Sequence, residues 1–119
     1  TLGGILYIME LQYRSNKIRK HCESPNKAQK VYGVQIGTKL TQRVGELKAA
    51  TSLEDIRNIP AARLHRLQGQ RADEYAVDLV HPFRLVFKPI LEEGEDITQL
   101  ANIKIVRIEE VRDYHGKQR

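Results

Sequence analysis

An α+β fold is predicted by three observations. Apolar residues recur at every second position in YAVDL (Tyr75, Val77, Leu79) and in RLVFK (Leu85, Phe87), on either side of a His81-Pro82 turn, as in a β-hairpin. Ahead of that hairpin, apolar residues recur at steps of three and four, the period of amphipathic helices. The stretches ILYIMELQY near the start and IKIVRIEEV near the end are rich in β-formers. Helices grouped between strands, without regular βα alternation, give an α+β order, and 119 residues suit one domain with one core spanning the whole chain.

Within residues 5–13, Ile5, Tyr7, Leu11 and Tyr13 share one face of a partly buried strand. Met9 is the only methionine, so the natural start is expected there, with residues 1–8 an upstream extension. Ser15 is placed to cap a helix carrying Asn16, Ile18, Arg19 and His21, which should end near Ser24-Pro25 because proline disfavours helical geometry just before it. Pro25 suits the first turn of a second helix. Over residues 26–50 that helix would carry an apolar stripe of Val31, Val34, Leu40, Val44 and Leu47, with Lys27, Lys30, Lys39, Arg43 and Lys48 on its outer face. Gly33, Gly37 and Gly45 would each cost about 0.5 to 1 kcal/mol inside it, so it should be stable only when docked, as part of a two-helix hairpin across one face of the sheet. Ser52 opens SLED, a capping box with Glu54 or Asp55 in the first turn of a short helix that ends at Ile59-Pro60. After the hairpin, residues 92–96 (EEGED) read as a solvated loop. In residues 103–111 the alternation of Ile103 and Ile105 breaks at Val106, which a bulge or burial on both faces would explain.

Composition narrows the function classes. No apolar run approaches the roughly 20 residues that cross a bilayer, and the opening Leu2 to Met9 lacks the basic leader and cleavage site of a signal peptide, so a cytoplasmic protein with no membrane partner is expected. A single cysteine, Cys22, offers neither a disulfide nor a metal-type spacing, and is read as an ordinary thiol. The net charge of +5 favours an anionic partner, nucleic acid rather than membrane. Nine Lys and Arg against three Asp and Glu in residues 1–50 put that excess on the N-terminal half.

The chemistry concentrates in residues 62–88 and at the C-terminus. Metal-free RNA cleavage needs a base for the 2′-hydroxyl, an acid for the leaving oxygen, and cations for the charge on the transition state. His65 and His115 have the titration range for the proton transfers, and Arg71 and Arg84 the planar donors for a phosphate clamp. Tyr114 could stack on a base or donate its hydroxyl, and Asp113 could orient an imidazole. Structural pairing of Arg71 and Arg84 with Asp73, Glu74 or Asp78 is the alternative, and His21 and His81 carry no catalytic expectation. No phosphate-binding glycine loop, serine elbow or metal-ligand cluster is present, and no cofactor or metal is expected.

The run RLHRLQGQR (63–71), the YAVDLVHPFRLVF hairpin and the terminal Asp113-Tyr114-His115 together resemble the RelE/ParE superfamily of toxins, and most closely the HigB-type toxins of bacterial type II toxin-antitoxin systems. The resemblance covers about Glu10 to His115. It implies a two-helix hairpin packed on a twisted, mainly antiparallel sheet of about four to five strands. It also implies an mRNA interferase that cleaves in the ribosomal decoding site, with the ribosome and mRNA as partners and a cognate helix-turn-helix antitoxin. His65, Arg71, Arg84, Asp113, Tyr114 and His115 then match the family's catalytic positions, and Arg63, Arg66, Gln68 and Lys88 are candidates for contact with RNA. Related toxins often carry lysine where this chain has Gln68, a cation that Arg66 or Lys88 could replace. A ParE-like toxin that inhibits a topoisomerase without catalysis, and an inactive homologue that only binds its partner, are the alternatives. The shared-site mechanism requires the last strand to lie beside the hairpin and to bring His115 to the phosphate held by Arg71 and Arg84.

Overall fold

The hairpin expected from YAVDL and RLVFK forms the middle of a five-stranded sheet. The computed structural model describes residues 8–114. Its strands are β1 (Glu10–Tyr13), β2 (His65–Arg66), β3 (Tyr75–Asp78), β4 (Phe83–Pro89) and β5 (Ile105–Asp113), and its helices α1 (Asn16–Glu23), α2 (Pro25–Tyr32), α3 (Val34–Ala49) and α4 (Leu53–Arg57). The spatial order is β1-β5-β4-β3-β2, antiparallel except for the parallel β1–β5 pair. The last strand therefore does lie beside the hairpin. Tyr114, just after this strand, donates its N–H to the Pro82 carbonyl at 3.1 Å.

One face of the sheet is covered by helices. Tyr75, Val77, Leu79, Leu85 and Phe87, the alternating set of the hairpin, are buried there with Leu40, Val44 and Leu47 of α3 and with Val106 and Ile108 of β5. Each such side chain contributes roughly 1.5 to 3 kcal/mol through its removal from water. Leu11 and Tyr13 pack at the margin of the same core, as their alternation requires. Met9 is buried and its N–H meets the Ala50 carbonyl at 2.8 Å. Of the expected extension at 1–8 only Ile8 falls among the described residues, where it is exposed.

The helical layer differs from the expected hairpin of two helices. Ser15 caps α1 through the Ile18 N–H and Ser24 caps α2 through the Lys27 N–H, as the sequence suggests, but the single helix expected over 26–50 divides at Gly33. Gly33 has φ of 88°, a conformation only glycine adopts readily, and at the sharp corner it makes Val31 and Val34, expected in the buried stripe, are exposed, so that Leu40, Val44 and Leu47 alone carry the stripe into the core. The corner presses α3 onto α2. A Cβ on Gly37 would lie 2.6 Å from the backbone of Ala28 and Gln29, so glycine at 37 is what lets the two backbones meet. Arg43, expected on the outer face, is instead buried, with its donors engaged by the carbonyls of Asp78 (2.8 Å) and Ala61 (2.9 Å) and by Glu46 (3.0 Å). A charge survives burial here because every side of the guanidinium is paired. Ser52 caps α4 through the Glu54 N–H, while Asp55 reaches back to the N–H and hydroxyl of Thr51. Cys22 is buried, and burial pushes its thiol up to about 12.

In β5 the broken alternation has two causes. Ile103 is buried ahead of the strand, its carbonyl accepting from the Leu53 N–H at the start of α4, so it does not share the phase of Val106 and Ile108. Farther on, Phe87 pairs with Ile108 and Val86 with Glu110, leaving Glu109 as an extra residue in a bulge. The bulge lies at Glu109 rather than Val106. It turns Val111 toward the core and aims Glu110 and Arg112 at the face that no helix covers.

Candidate active site on the open face of the sheet

The face opposite the helices is assembled from residues in register. His65 pairs with Ala76, Ala76 with Val86, and Val86 with Glu110, so these four form one row across β2, β3, β4 and β5. The neighbouring row is Asp78, Arg84 and Arg112. At about 4.8 Å per strand, the ends of the first row are roughly 14 Å apart, a span that arginine side chains bridge easily. Ala76 and Val86 form an apolar floor. Both are fully buried although neither belongs to the helix-side core, so the charged side chains around them are their roof.

That roof is a network of ion pairs. Arg71, in the short turn Gly69–Arg71, donates from Nε to Glu74 at 2.5 Å and from a terminal nitrogen to Glu110 at 2.6 Å. These carboxylates hold its guanidinium pKa above the ordinary arginine value. Arg112 lies 3.5 Å from Glu110. Asp78 takes a two-pronged contact from Arg63, at 2.7 and 3.0 Å, and lies 3.6 Å from Arg84. Lys88 lies 3.1 Å from Asp73, whose pKa it lowers, and Arg107 donates to Glu109 at 2.5 Å. Six cations thus meet five carboxylates, and the face is close to electroneutral. Tyr114 closes one side, with the Arg84 guanidinium 4.4 Å and that of Arg112 5.4 Å from its ring centre.

His65 stands at the β2 end of the row. Its Nδ1 lies 2.8 Å from the Arg63 carbonyl, whereas Nε2 is shielded from solvent and has no hydrogen-bond partner. Buried polar atoms are rarely left so. A basic nitrogen, three arginines and a tyrosine above a small apolar floor can together bind a phosphodiester and accept a proton beside it.

The expected site residues separate into groups. His65, Arg71, Arg84 and Tyr114 share the open face, with Lys88 at its margin and Arg63 reaching it through Asp78. The suggested pairing of Arg71 and Arg84 with neighbouring acids is present, through Glu74 and Asp78. Arg66 is a neighbour of His65 in a strand and so points to the other side, where Nε donates to the Ala72 carbonyl at 2.6 Å in a cleft with Asp73, Glu95 and Asp96. Of the two substitutes for the family's lysine, only Lys88 is on the open face. Gln68 is exposed in the loop before the Gly69–Arg71 turn, and Asp113 is exposed opposite Phe83 at the end of β5. His115 lies outside the described residues. Glu110 and Arg112 do not stand out in the sequence, because continuing the alternation of Val106 and Ile108 puts them on the core side, and only the bulge at Glu109 shifts them to the open face. Among the described residues no cluster of His, Cys, Asp and Glu is suited to a metal ion, and no helix is long and apolar enough to cross a membrane.

No family model and no curated protein matches the sequence. In structure the chain is similar to a YoeB/ParE toxin from Agrobacterium tumefaciens, at a TM-score of 0.51 and 10% sequence identity, over 90% of this chain and 100% of that one. The α+β architecture of four helices and a five-stranded mixed sheet is a RelE/ParE-like toxin fold.

Proposed function

We propose that this chain is the toxin of a type II toxin-antitoxin pair and a HigB-like mRNA interferase, cutting ribosome-bound mRNA by metal-free attack of the 2′-hydroxyl on the adjacent phosphate. The observation that carries the proposal is the unpartnered His65 Nε2 on the same open face as Arg71, Arg84 and Arg112. In this mechanism Nε2 accepts the 2′-hydroxyl proton, and the 2′-oxygen attacks phosphorus. The arginines bind the non-bridging oxygens as charge grows on them, and the 5′-oxygen leaves with a proton, giving a 2′,3′-cyclic phosphate. His115, the residue after Tyr114, is the proposed acid, with Asp113 orienting it and Tyr114 stacking on a base. Lys88 takes the part of the family's lysine. The Lys- and Arg-rich surface of α1 to α3 would meet ribosomal RNA in the cytoplasm, and a helix-turn-helix antitoxin would neutralise the protein.

One observation favours the non-enzymatic, ParE-like alternative. Each open-face arginine already has a carboxylate, as a surface that serves only protein contact could. Induction in a bacterial host separates the two, with growth, mRNA 5′ ends and plasmid supercoiling followed together. Growth arrest with new 5′ ends and normal supercoiling is expected; arrest with altered supercoiling and intact mRNA would move the assignment to a topoisomerase inhibitor.

A further inference from the structure

We infer that Arg63 is a positioning residue that sets the proton on His65 through its backbone and tunes Arg84 through its side chain. The inference takes His65 and Arg84 in the parts proposed for them above.

Among the described residues, Arg63 is the one non-glycine with positive φ, at φ 47° and ψ 56°. It follows the tight turn Pro60–Ala62, which Arg43 braces from within the fold by its bond to the Ala61 carbonyl. A left-handed conformation is unfavourable for a residue with a Cβ, and such strain persists where the surrounding structure imposes it. Here it turns the Arg63 carbonyl toward His65 Nδ1, at 2.8 Å. A carbonyl has no proton to give, so the proton of that bond is on Nδ1. In the neutral ring the lone pair is then on Nε2, the nitrogen that has no partner. The turn thereby selects the tautomer that can accept a proton on the open face.

The side chain acts separately. The Arg63 guanidinium takes both oxygens of Asp78, which keeps Asp78 at 3.6 Å from Arg84. Without it Asp78 is free to close on Arg84, and Arg84 becomes less available to a phosphate.

Glycine and valine at position 63 separate the two actions. Arg63→Gly loses the guanidinium but enters the left-handed region freely; Arg63→Val loses the guanidinium and opposes that region. In 15N NMR of the neutral His65 imidazole, wild type and Arg63→Gly should show Nδ1–H, while Arg63→Val should show a substantial Nε2–H population. Binding of a single-stranded RNA oligonucleotide should weaken about threefold to tenfold in both variants, the scale of a lost surface charge contact. In cleavage on programmed ribosomes, KM should rise in both, and kcat should fall only in Arg63→Val, by about tenfold to a hundredfold. Arg63→Ala, which opposes the left-handed region less, replaces valine if that variant does not fold. Nε2–H in wild type, or equal kcat and equal tautomers in the glycine and valine variants, overturns the inference. If wild type cleaves no RNA the enzymatic proposal fails, while the tautomer and the binding measurements still decide the part played by Arg63.

Discussion

Glu110 binds Arg71 at 2.6 Å across 39 positions of sequence, tying the Gly69–Arg71 turn to β5 and covering the floor of the open face. A phosphate held by Arg71 must take the place of that carboxylate. Glu110 and Asp78 therefore act as internal competitors for RNA, and Glu110→Gln or Asp78→Asn should tighten binding. For single strands the slope of log K against log salt is about 0.7 per neutralised phosphate, so each variant should steepen it by about that much. Fluorescence anisotropy across a salt series checks this, and an unchanged slope would mean that the carboxylates do not compete.

The α2–α3 corner sets opposite expectations for two glycines. Gly37→Ala should destabilise the fold by about 1 to 3 kcal/mol or more, because its Cβ would meet the backbone of Ala28 and Gln29. Gly45→Ala points into open space within α3 and should stabilise by about 0.5 to 1 kcal/mol. Urea unfolding of the two variants measures both signs.

His21 predicts a pH dependence. It is buried, its Nδ1 lies 3.1 Å from the Tyr32 hydroxyl, and burial followed by repulsion from Lys17 and Lys27 lowers its pKa below the ordinary 6.5. The unfolded chain then binds the proton more readily than the folded one. The contribution of His21 is present above about pH 6.5 and is lost as pH falls through its lowered folded value. Thermal melts between pH 7.5 and 5 should show stability declining, and His21→Gln should flatten that decline. Carboxylates such as Glu23 and Asp73, also lowered, act in the same direction only below their ordinary value of about 4.

What could be read from sequence follows from where a local period survives folding. Tyr75, Val77, Leu85 and Phe87 are legible because large apolar residues keep a period of two on the helix-covered face, even though Ala76 and Val86 on the other face are apolar as well. Gly33 was not, because the apolar spacing continues in phase from Val31 to Val34 through the corner. Arg43 looked like one more cation of an outer face, since its carbonyl partners at Asp78 and Ala61 are remote in the chain. His65, Arg71 and Arg84 stand out by residue type and family resemblance; strand register places His65 and Arg84 on one face, and the contact with Glu110 brings Arg71 to it. Glu110 and Arg112 required the bulge at Glu109, and the tautomer of His65 required the backbone of Arg63. Neither leaves a local sequence signature.

The most direct test of the open face as an active site is mapping of mRNA 5′ ends in a translating bacterial lysate supplied with wild type, His65→Ala, Arg84→Ala or Glu93→Ala. Glu93 is exposed in the turn after β4 and serves as the control. New 5′ ends should appear with wild type and Glu93→Ala and fall by about a hundredfold or more with the other two, the scale of losing a proton acceptor or an oxyanion donor. Equal cleavage by all four proteins would contradict the assignment.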